Sequence, residues 1–295
     1  MTTSHDIYLR PARTAAAVRA LAGARSPAVL AGGVDLVPRL RAGTVRPDLV
    51  VDLAGIAELH AVRQHRREDG AVAVRLGAAV TQADALATMR RLAPAAGAAA
   101  ALHTMGTPLV RGQGTFVGAL AAGDAAGHVA ALAGAFDAVV RLAGADGERT
   151  VPAVELYRPG GRDPAELVLD VELAFPPGGS AFARAGLRQV GAHLVLVAAS
   201  VVVDPGGRCT HARVGVATRG HDARSPAAAR LLVGRPVDAE LIEIVARHVA
   251  EEVDTADDAL GSAEYRRHAV EVLTRRTLHS AARTARSRPF EPASR

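Results

Sequence analysis

Lysine is absent from this chain of 295 residues, so its 35 basic residues are all arginine, set against 30 acidic ones for a formal net charge of +5. The guanidinium stays protonated at any ordinary pH, which lifts the pI to about 10.4 without any selected cationic patch. Aromatic residues make up only 3%, leaving little for base stacking, and no nucleic-acid partner is expected. Cysteine is nearly absent too. With Cys209 alone the chain makes no internal disulfide and by itself ligates neither an iron–sulfur cluster nor a multi-thiolate metal site. Any such centre belongs to a partner. No apolar run reaches the roughly 18 residues of a membrane span, and Met1–Arg10 lacks a basic stretch followed by an apolar one. The expectation is a cytoplasmic protein that makes no membrane contact.

What is present is the balance of a packed globular chain, with 49% hydrophobic and 22% charged residues over a length that suits two or three compact units. Ala12–Ala24 has helical spacing and precedes a strand at Ala28–Leu30, the turn Gly32–Gly33 and a helix from Asp35, an N-cap residue type, through Leu40. Leu49–Leu53, Ala61–Gln64 and Val72–Leu76 read as strands, Thr81–Met89 and Leu92–His103 as helices. Helix Val129–Phe136, strand Ala138–Ala143, turn Gly144–Gly147 and strand Leu167–Phe175 follow, and Pro176–Pro177–Gly178–Gly179 marks a boundary. Beyond it lie a hairpin, His193–Val203 with Ala212–Ala217, two amphipathic helices over Asp238–Val253 and Ser262–Ala285, and a loose tail from Ser287.

Between Met105 and Gly127 periodicity fails and glycines accumulate, which predicts a functional loop, because glycine lets backbone approach a ligand closely. The spacing Gly112-x-Gly114-x-x-x-Gly118, with Asp137 downstream, suggests a dinucleotide fold. That fold needs a buried strand before the glycines and a helix opening at them; only Leu109–Val110 precedes, and no helix is expected at Gly114. His60, His65, His211 and His221 lack metal-ligand spacing. Ser225–Pro226 has no nucleophile elbow. Arg266, Arg267, Arg275, Arg276, Arg283 and Arg286 on the last helix read as a solvated or subunit-docking face.

Two loops are more informative together: Val29-Leu-Ala-Gly-Gly-Val-Asp-Leu36, and Arg111-Gly-Gln-Gly-Thr-Phe-Val-Gly-Ala-Leu120 followed by Asp124. Both resemble the pyrophosphate loops in the FAD subunit of carbon monoxide dehydrogenase, xanthine dehydrogenase and related molybdenum hydroxylases. Arg46-Pro-Asp-Leu-Val-Val-Asp-Leu53, Leu76-Gly-Ala-Ala-Val-Thr81 and Gly261-Ser-Ala-Glu-Tyr-Arg-Arg-His268 are similar to further family segments in the same order. The resemblance implies an α+β fold. A two-subdomain FAD-binding unit over 1–176, divided near 55, is followed over 180–286 by a three-stranded sheet backed by helices, with 287–295 as tail. It also implies FAD held by Ala31, Gly32, Gly33, Val34, Asp35, Leu36, Gly114, Thr115, Gly118, Ala119, Asp124 and Arg184, no metal in this chain, and partners carrying a molybdenum cofactor and iron–sulfur clusters.

Glycine-flanked N–H groups form concave anion sites, which suits a diphosphate whatever the family. The side chains depart from the family pattern. Val34 stands for Thr, Ser or His, Gly112 for Asn, Val117 for the first of two paired glycines, Ala119 for Ser or Asn, His128 for Asp, Arg184 near a customary Lys, and Leu260 for Arg. The plainer alternative makes Gly114 and Gly118 a tight turn, Asp124 the cap of a helix at Ala125, and Asp35 the cap of its own helix. A second reading is a flavin-free descendant, a homodimer in place of a complex, whose cleft takes another small molecule with His128 as acid or base. A third is a scaffold that docks through its Arg-rich last helix.

Overall fold

The computed structural model describes residues 8–158, 160–186, 193–219 and 224–287. The expected tail from residue 288 onward, the first seven residues and His221 lie outside these. β1 (Tyr8–Leu9), α1 (Thr14–Gly23), β2 (Pro27–Leu30), α2 (Leu36–Arg41) and β3 (Leu49–Asp52) form a three-stranded parallel sheet in the order β1-β3-β2. α1 holds to it because Ala17 and Leu21, four residues apart and so on one face, are both buried. Asp52 closes the sheet by accepting from the Tyr8 hydroxyl at 2.5 Å and the Ala54 N–H at 2.9 Å.

β4 (Val62–Arg66), β5 (Val72–Gly77), α3 (Gln82–Arg90), α4 (Ala96–Thr104), α5 (Pro108–Gln113), α6 (Phe116–Ala121), α7 (His128–Ala135), β6 (Val139–Gly144), β7 (Gly147–Pro152) and β8 (Leu167–Phe175) make the second layer. Its five strands are antiparallel in the order β4-β5-β8-β6-β7. All nine residues of the central strand β8 are buried, including two acids. Asp170 and Glu172 tolerate that position because Arg141 reaches Asp170 at 2.5 Å while Arg67 and Arg75 reach Glu172 at 2.7 and 2.8 Å.

The third layer comprises β9 (Gly179–Gly186), β10 (His193–Val203), β11 (Cys209–Ala217), β12 (Arg224–Ser225), α8 (Ala227–Leu232), α9 (Ala239–Glu251) and α10 (Ala263–Arg286). The three long strands expected here are present, extended by the two-residue β12 in the antiparallel order β12-β11-β10-β9. α8 and α10 pack on one face, with α9 against both, and α4 and α7 pack on the other. Ser180 and Ser200 pin the layers together, their hydroxyls donating to Pro94 O at 2.6 Å and Ala135 O at 2.9 Å.

Three expectations need correction. The stretch Met105–Gly127 is not all loop: α5 and α6 lie in it, started by Thr107 and Thr115, whose hydroxyls accept the N–H of Val110 and Gly118. At six residues each, they are too short to show a helical period. Arg266 is not on a solvated face. It is 2% exposed and donates to Ala256 O, Gly261 O and Asp258 Oδ1 at 2.5, 2.9 and 2.6 Å. Finally, β1, β7, β12 and α8 carry no element signal in the sequence, and β9 is the third expected strand of the last sheet without a sequence position of its own; β7 reads Gly-Glu-Arg-Thr-Val-Pro on an exposed edge, without apolar alternation.

Candidate functional site

Between the parallel sheet and the second layer lies a cleft of about 690 Å³, the size range of a small-molecule or cofactor site. Ala31, Gly32, Gly33, Val34, Asp35 and Leu36 line it from one side, Gly114, Thr115, Val117, Gly118 and Ala119 from the other, with Asp124 close by. Eleven of the twelve cofactor residues implied by the sequence therefore meet in one place, although two loops some 80 residues apart supply them.

The loops meet backbone to backbone. A Cβ on Gly32 would sit 2.2 Å from Gln113 O and 2.7 Å from Gly114 Cα, so only glycine fits. Gly33 has φ +71°, a left-handed conformation that glycine adopts at no steric cost. Among the described residues no acceptor takes the N–H of Gly32, Gly33 or Val34. Three successive free donors beside a left-handed residue form an anion-binding nest.

The side chains matter less than the sequence suggested. Val117 is 2% exposed and packs into the hydrophobic core while also lining the cleft, so it adds an apolar surface there rather than a polar contact. Val34 is 41% exposed; its N–H faces no competitor whatever its side chain. Thr115 Oγ1 accepts from Gly118 N at 2.9 Å, and its own proton has no acceptor among the described residues. Asp124 does not cap a helix at Ala125: α7 begins at His128, and Asp124 Oδ1 instead accepts from Ala126 N at 3.0 Å in a turn. Asp35 occupies the N-cap position of α2 without a capping bond, and pairs with Arg39 at 3.2 Å.

Two candidates lie elsewhere. Arg184 on β9 is not among the residues lining the cleft; its Nη1 is 3.3 Å from His193 Nδ1. His128 is also outside the lining and is buried, with Nε2 3.2 Å from Thr104 Oγ1, its ring stacked on Phe182 at 5.7 Å and edge-on to His193 at 4.7 Å. Burial first, then the charges of His193 and Arg184, push its pKa down to about 3. It is neutral at pH 7 and has no access to a ligand, which removes the motive for an acid or base there.

A histidine held neutral in the fold but free to protonate when unfolded stabilises the protein above its ordinary pKa, near 6.5, and loses that contribution as pH falls toward 3. His128→Asn is therefore expected to flatten the decline in urea stability between pH 7 and pH 4. Parallel declines in the two proteins would show that His128 is not protonation-restricted.

Several wall residues carried no sequence signal, since they come from distant parts of the chain: Gln82, Met105, Arg162, Pro164, Leu167 and Val168. Gln82 is 4% exposed, and its Oε1 has no partner. FAD fits what is here. The free N–H nest suits its diphosphate, the orphaned amide oxygen awaits a donor such as a hydroxyl, and the apolar Met105, Leu167 and Val168 suit a ring system.

Comparison with known proteins agrees. Residues 2–176 match the FAD-binding domain of molybdopterin dehydrogenases, and residues 180–281 match the C-terminal domain of carbon monoxide dehydrogenase flavoproteins. The 6-hydroxypseudooxynicotine dehydrogenase complex subunit alpha of Paenarthrobacter nicotinovorans is 31% identical over 92% of both chains. The carbon monoxide dehydrogenase medium chain of Afipia carboxidovorans is 29% identical over 95% of this chain and 98% of its own. A chain of reconstituted carbon monoxide dehydrogenase from Oligotropha carboxidovorans superposes with a TM-score of 0.85 at 26% identity, covering 97% of this chain and all of its own. With both domains matched in order along its length, this protein belongs to the FAD-binding medium-subunit family of the molybdenum hydroxylases.

Proposed function

We propose that this chain binds FAD in the cleft between its two glycine loops and serves as the electron-transfer subunit of a molybdenum hydroxylase assembly. The observation that carries the reading is the backbone contact of Gly32 with Gln113 and Gly114, which sets the free N–H groups of Gly32, Gly33 and Val34 against the cleft. When bound, FAD supplies the redox chemistry, taking electrons from the assembly and handing them to an acceptor such as NAD, a quinone or oxygen. The chain itself binds and orients. Its main-chain donors meet the diphosphate, Thr115 adds a hydroxyl, and Met105, Val110, Leu167 and Val168 keep water from the ring. No side chain needs to act as acid or base.

The relatives are a medium chain and a complex subunit, which supports partners bearing a molybdenum cofactor and iron–sulfur clusters. Their names point to very different substrates, carbon monoxide and 6-hydroxypseudooxynicotine, on chains similar to this one over nearly their whole length, so substrate choice is assigned to the large subunit. Purified protein incubated with FAD is expected to retain it on gel filtration, show flavin absorption bands and quench flavin fluorescence. A colourless protein that leaves added FAD fluorescent overturns the reading.

A further inference from the structure

The wall of the cleft holds a charge that neither glycine loop supplies. Arg162 lines it from the segment between β7 and β8, and burial disfavours its charged form. Its one hydrogen bond among the described residues goes to a backbone oxygen, Nη1 to Glu166 O at 2.8 Å. Neighbouring carboxylates are already committed. Arg149 grips Glu166 with two bonds of 2.6 and 2.7 Å, and Asp163 Oδ1 accepts from Ala165 N at 2.8 Å. Glu166 and Asp163 partly offset that burial through their charge, but neither carboxylate bonds to the Arg162 guanidinium, and a partly buried guanidinium favours an anion that pairs with it directly. Across the cleft, Asp35 is engaged by Arg39, and the lining as a whole carries Arg39, Arg46 and Arg162 against Asp35 and Asp124.

Building on the FAD reading, we infer that Arg162 is a diphosphate-binding residue, offering its planar donor fork to the phosphate oxygens opposite the N–H nest. Oxidised FAD carries its formal charge on the diphosphate alone, and paired phosphate oxygens match a guanidinium better than any other group of the cofactor. In this chain Arg162 supplies the polar contact that Val34 and Ala119 do not.

ADP shares the diphosphate and lacks the flavin, so it separates phosphate contact from ring contact. Titrations of wild type, Arg162→Gln and Arg162→Lys with FAD and with ADP are the test, with thermal melts to verify folding. Arg162→Gln is expected to weaken FAD and ADP alike by about 10- to 100-fold, the range of a charge-assisted hydrogen bond. Arg162→Lys should retain part of the affinity, and the salt dependence of ADP binding should fall in Arg162→Gln. Unchanged ADP affinity in folded Arg162→Gln, or a shifted flavin midpoint potential at unchanged FAD affinity, overturns the inference while the FAD reading stands. Failure of the wild type to bind FAD overturns both.

Discussion

Replacing Gly32 by alanine is expected to cost the protein its FAD, with affinity falling by about 100-fold or more. The added methyl would lie 2.2 Å from Gln113 O, a backbone atom that no rotamer change can move aside. The two loops must part, and overpacking of that kind costs about 1–3 kcal/mol or more. Gly33→Ala is the informative companion. Its Cβ meets only the side chains of Val37 and Leu30, at 3.2 and 3.3 Å, so its cost is the left-handed φ, about 1–2 kcal/mol. Val34→Thr, which restores a family side chain, should change affinity by less than about tenfold. Fluorescence titration of the three variants ranks them. If Val34→Thr has a larger effect than Gly32→Ala, side chains and not main-chain donors hold the cofactor.

The second large effect is expected far from the cleft. Arg266→Leu leaves Ala256 O and Gly261 O without their donor and removes the strongest of several bonds to the Asp258 carboxylate, and should clearly destabilise the protein in urea denaturation. Arg266 foremost, with the Leu260 and Gly261 N–H groups, holds the Asp258 pKa down to about 2. A carboxylate depressed in the fold contributes its stability above its unfolded pKa, near 4, and loses it as pH falls through 2. Arg266→Leu should therefore also narrow the acid-unfolding window between pH 4 and pH 2. A variant as stable as wild type would mean that a neighbouring group takes over these bonds.

Much of this was open to reading from residue types. The strand at Leu167–Phe175 follows from its unbroken apolar-rich run, and the two long C-terminal helices from periodicity and the caps Asp238 and Ser262. Glycine marks the Gly32–Gly33 and Gly114–Gly118 loops each as open to an anion, but it was the family resemblance that joined them into one site. Arg162 was not, because nothing in Gly161-Arg-Asp-Pro164 distinguishes a cleft cation from any of the other arginines. Arg184 and His128 were drawn toward the cleft by position in a resemblance, whereas contact with His193 decides where they sit. Arg266 was misread because helical periodicity reports charge and not the fold of the preceding turn, Ala256–Gly261, around its guanidinium.

The sheet of β9 to β12 is a shared wall. Leu196, Ala198 and Ala217 belong to the hydrophobic core of the preceding layers, while Val195, Val197 and Val216 belong to the core beneath α9 and α10. A chain severed at Pro176–Pro177 would yield two pieces, each with an uncovered apolar face, meeting across that wall and through polar links that include the Ser180 and Ser200 bonds and the Arg213–Asp137 pair. The halves are thus complementary, and produced singly they are expected to aggregate while co-production recovers a soluble pair, which co-purification of the two pieces checks.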